Sequence, residues 1–197
     1  MIKESWKAMR DENTSCSTSE GWHVKWGFDP GDCFTVFPLL PQLPGESGED
    51  RWTRSFCPLK AKGEMLCIES NVVEALLRRM LEVHFDADLD INSRKVTPWR
   101  LQGFDWYYDN AYTVSECGVI RDKLRVLSSM LEGIPADRRI YVSGDGRIVT
   151  AGAESDESWG SLSAGEAARD CTLISDLLEK VLISAEAQQA VVTFSGP

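Results

Sequence analysis

The sequence predicts an α+β domain with a mostly antiparallel sheet and about three helices packed on one face. Three observations predict it. Two runs alternate with a period of two: His84, Asp86, Asp88 and Asp90 interleave with Phe85, Ala87, Leu89 and Ile91, and Asp105, Tyr107 and Asp109 interleave with Phe104, Trp106 and Tyr108, the pattern of half-buried strands. Two Ser/Thr-x-x-Glu boxes, Thr113 with Glu116 and Ser163 with Glu166, stand directly before apolar repeats of helical period. Short apolar segments elsewhere are separated by Gly, Pro and Asp clusters, which are turn chemistry.

In chain order, residues 1–20 read as a short N-terminal helix and a flexible linker, ending in the polar tract Asn13 to Ser19. Residues 21–190 read as one α+β domain and 191–197 as a C-terminal tail. Trp22, Val24 and Trp26 alternate with His23 and Lys25, so a strand is expected near 22–28. Pro38, Pro41 and Pro44 with Gly45 and Gly48 mark a loop. Arg51 to Leu59 and Glu64 to Ile68 read as strands, followed by others near 85–91, 99–108 and 138–150, the last a hairpin turning at Gly144-Asp145-Gly146-Arg147.

The three helices span 70–84, 114–132 and 164–189. Ser70 is the expected cap of the first, whose stripe is Val73, Leu76, Leu77, Met80 and Leu81. The second carries Cys117, Ile120, Leu124, Leu127 and Leu131 until Gly133 and Pro135 stop it. The third carries Ala167, Cys171, Ile174, Leu178, Val181 and Ala185. The stretch from Gly152 to Gly160 reads as an acidic linker.

Composition narrows the function classes. A chain of 197 residues buries roughly 70% of its unfolded surface, so neither metal nor disulfide is required to hold the fold. Six cysteines are scattered without a C-x-x-C pair, which argues against a zinc site and for reduced, mostly buried thiols. No apolar run approaches the roughly 20 residues of a membrane span, and Met1 to Arg10 mixes charges with single hydrophobes, unlike a secretory signal. A cytoplasmic location without membrane contact is therefore expected. The net charge is -10, with 4 basic against 9 acidic residues in 1–50 and 2 against 8 in 151–197. Nucleic acid and anionic lipid would be repelled over most of such a surface, whereas a basic protein would be attracted.

The candidate sites follow from the acidic alternation. Asp105, Tyr107 and Asp109 form the expected partner-binding face, joined by Tyr112 at the end of the aromatic cluster, because an exposed Tyr framed by acids suits a cationic protein surface. A strand-borne cation site is the second candidate. Side chains two apart lie about 7 Å from one another, so His84, Asp86 and Asp88 present ligands for a divalent cation. The run from Asp86 is not an EF-hand, since Ile91 and Thr97 stand where the loop needs Gly and Glu. Cys117 lies on the apolar stripe of its helix and reads as core, and no phosphate-loop or dinucleotide motif occurs.

The reading that results is a non-enzymatic cytoplasmic protein-binding module, of inhibitor or immunity type, that takes a basic partner and needs no cofactor, as a monomer or homodimer. Two alternatives are a metal-dependent hydrolase using His84, Asp86 and Asp88, and a structural subunit of an assembly.

Overall fold

The computed structural model describes residues 17–18, 21–24, 33–62, 64–83, 109–151 and 160–196. The architecture is α+β, with antiparallel pairing predominating. The strands β1 (Ser17–Thr18), β2 (Gly21–Val24), β3 (Cys33–Leu39), β4 (Leu66–Glu69), β5 (Asp109–Tyr112) and β9 (Val191–Ser195) form one sheet in the order β1-β2-β4-β3-β9-β5. Only β2 and β4 run parallel; the other neighbours are antiparallel. A second, antiparallel sheet has the order β7-β6-β8, from β6 (Arg139–Val142), β7 (Ile148–Thr150) and β8 (Leu162–Ser163).

Strand alternation divides the large sheet into two faces. Phe34 and Val36 of β3, Leu66 and Ile68 of β4 and Val192 and Phe194 of β9 enter the main core. The register that sets Val36 against Phe194 and Phe34 against Ile68 brings them together. Phe37 and Cys67 occupy the opposite face, where they meet Leu59, Trp52 and Phe56.

Three of the helices match the sequence expectation. The first, α2, runs from Ser70 to Val83 as α-helix at Ser70–Val72, a π-helical turn at Val73–Leu77 and α-helix at Arg78–Val83. Ser70 is its first residue instead of its cap, which is Glu69 and makes no side-chain capping bond. Val73, Ala75, Leu76 and Leu77 of the π turn are all buried; the wider i→i+5 turn accompanies a segment in which Glu74 alone escapes the core. The other two are α3 (Val114–Leu131) and α4 (Ala164–Ala187).

A fourth helix, α1 (Gly48–Lys62), stands where a strand was expected at 51–59. Ser47 Oγ accepts from the Asp50 amide at 3.1 Å and donates to the Asp50 carboxylate at 2.6 Å, which opens the helix by capping. Trp52, Phe56 and Leu59 then fall on one side at helical spacing and cover the second face of the sheet. The Trp52 and Phe56 rings stack at 4.3 Å, and Phe37 meets them edge-on at 5.8 and 5.3 Å. Arg51 Nε donates to the Leu40 carbonyl at 2.6 Å, and Ser55 Oγ accepts from the Leu40 amide at 3.1 Å, so α1 is tied to the end of β3.

The segment expected as a C-terminal tail supplies β9, which lies between β3 and β5 and buries Val192, Thr193 and Phe194. Its hydrogen-bonding groups are matched on both sides, from Thr35↔Ser195 to Leu39↔Val191 and from Asp109↔Ser195 to Tyr112↔Val192. The hairpin at 138–150 forms as expected. Gly146 takes a positive φ of 82° and its amide donates to the Ser143 carbonyl at 2.9 Å, a conformation that favours glycine. The strands expected at 85–91 and 99–108, the N-terminal helix and most of the acidic linker lie outside the described residues.

Candidate interaction surface

The α3–α4 pair joins the two longest helices among the described residues, and its formation follows from local sequence. At the start of α3, Thr113 Oγ1 accepts from the Glu116 amide at 3.2 Å while the Glu116 carboxylate accepts from the Thr113 amide at 2.8 Å. Ser163 and Glu166 repeat this at α4, at 3.3 and 3.2 Å. Each box satisfies two otherwise orphaned amides and is worth about 1 kcal/mol. The inward stripes are fully buried: Cys117, Ile120, Leu124, Leu127 and Leu131 on α3, and Ala167, Cys171, Ile174, Leu178, Val181 and Ala185 on α4. Burial pushes the Cys171 thiol up to about 12 and raises Cys117 as well, so neither is a thiolate nucleophile at neutral pH.

The two helices run antiparallel, which two contacts fix. Ser128 Oγ lies 2.6 Å from Thr172 Oγ1, and seven residues earlier on α3 Arg121 pairs with Glu179, seven later on α4. Arg125 adds a second guanidinium 3.7 Å from Glu179, and Arg121 also holds Asp122 at 2.8 Å. One turn beyond Glu179, Ile183 falls level with Cys117 and Gly118, where a glycine Cβ would meet nothing within 4 Å.

The outward side of this pair carries most of the exposed large hydrophobic residues among the described ones. Of five large hydrophobic residues exposed among the described residues, four are here: Val119 at 44%, Val126 at 60%, Met130 at 54% and Ile183 at 59%. Val119, Val126 and Met130 are spaced i, i+7 and i+11, so they form one line along α3. Ile183 shares its side of α4 with Asp176 and Glu186, both exposed, and with Glu179. Single exposed hydrophobes are ordinary, whereas contiguous apolar surface is the feature that interaction sites share.

The sequence-predicted sites fare differently. Tyr112, expected on a partner-binding face, is 0% exposed; its hydroxyl donates to the Leu81 carbonyl at 3.2 Å and its ring meets Phe194 edge-on at 5.8 Å. It belongs to the core. Asp109 opens β5 and pairs with Ser195, with its side chain outside the described ones. Asp105, Tyr107, His84, Asp86 and Asp88 lie outside the described residues. Among the described residues, no three His, Cys, Asp or Glu side chains group so as to hold a metal ion, and no helix is long and apolar enough to cross a membrane.

The residues that sequence reasoning missed, Val119, Val126, Met130 and Ile183, carried a legible signal. They sit off the three-and-four stripe that fills the core, on positions where a helix of a monomeric protein ordinarily carries polar residues. Comparison with protein-family models, with curated proteins and with solved structures gives no match.

Proposed function

We propose that this chain is a protein-binding module that takes a basic protein partner on the outward side of α3 and α4. The observation that carries the reading is the line of Val119, Val126 and Met130, with Ile183 on the neighbouring helix, on a face whose inward half is already buried. Such residues supply the apolar centre of an interface, and polar groups supply its rim. The net charge of -10 favours a basic partner, and Asp176 and Glu186 place acids beside Ile183, whereas Glu179 is already paired with Arg121 and Arg125. Complementary charge would speed encounter and make binding salt-dependent, while the apolar anchors would set the lifetime of the complex.

The test is affinity capture from native extract with elution in steps of rising salt, run in parallel on the wild type and on V119S/V126S/M130S/I183S. A stoichiometric basic protein, retained by the wild type and lost by the variant while both show the same unfolding midpoint, is the expected result. Equal retention by both proteins would remove this face from the function. A second copy of the chain seated here, seen as a wild-type dimer that the variant abolishes, would replace the basic partner with self-association.

A further inference from the structure

We draw no further inference here: the strongest candidate, the Arg79, Tyr141 and Arg139 cluster on the outward side of the small sheet, with the Arg79 guanidinium 4.5 Å over the Tyr141 ring, carries nothing because its guanidinium contacts go to Glu74 and Ser161 of the fold itself and no described group points to a ligand there.

Discussion

The two faces of the large sheet are covered by different means. On one, α2, α3 and α4 converge with β6 on an aliphatic core in which Phe34, Tyr112 and Phe194 are the aromatic members. On the other, among the described residues, one helix lays an aromatic pair, Trp52 and Phe56, over Phe37. The first face is sealed by several elements that would all have to move together. The second depends on α1, held at one end by Arg51, Ser55 and Leu40. One side of the sheet is thus the main core and the other a satellite cluster, joined through strands that serve both.

Loss of a shared strand should have the largest effect. Deleting residues 191–197 takes β9 from between β3 and β5; Val192 and Phe194 leave the main core. The expected outcome is loss of a cooperative unfolding transition in urea, with both faces failing together. Retention of a sharp transition would show that β9 is dispensable.

Single truncations sharpen the contrast. Phe194→Ala empties a site in the main core and should cost 3–5 kcal/mol in denaturant unfolding, within the usual range of about 3–5 for buried aromatics. Phe56→Ala removes a half-buried ring from the satellite cluster and should cost about 1–2 kcal/mol, combining partial burial with a lost ring pair. Equal costs would mean that the two clusters form a single core. Ser163→Ala, at the head of α4, should cost about 1 kcal/mol by removing the cap that Glu166 reciprocates.

The smallest effect concerns the loop that leads into α1. The Arg54 guanidinium, 2.7 Å from Glu46, and the Leu43 amide hold the Glu46 carboxyl down to about 2 from its ordinary 4.5. A carboxyl depressed in the folded state contributes stability above its unfolded value and loses it as pH falls through the folded one. The wild type should therefore lose a small increment of stability between pH 4.5 and about 2 that Glu46→Gln does not, read as converging unfolding midpoints in acid. Because the pair lies at the surface, with both residues half-buried, salt should shrink the difference only in part.

Much of the main core could be read in the sequence, because its helices announce themselves twice, by capping boxes and by apolar period. Thr113, Glu116, Ser163 and Glu166 are caps in the structure as in the sequence. The satellite cluster was hidden for a physical reason. Pro58 lies inside α1, where a proline ordinarily argues against a helix, and it obscured the i, i+4, i+7 spacing of Trp52, Phe56 and Leu59. The strand β9 is only five residues long; its Val-Val-Thr-Phe run is strand-prone, but its interior place, paired on both edges, is set by the sheet and not by local sequence. Tyr112 was misplaced although its parity pointed inward. Counted on from Phe104, Trp106 and Tyr108, position 112 falls on the apolar side of the alternation, which is where the structure puts it against Phe194. The proposed face was harder to read because its apolar line on α3 runs beside the stronger core stripe of the same helix.

Whether the outward side of α3 and α4 is a binding face can be read from oxidative footprinting of methionine in the free protein and in the complex re-formed at low salt with the salt-eluted partner. Met130 is the exposed thioether on that face, while Met80 and Met65 are buried and serve as internal controls. A binding face there gives rapid sulfoxide formation at Met130 in the free chain and strong protection in the complex, with the two controls slow in both. Equal oxidation of Met130 in the free and bound states would contradict it.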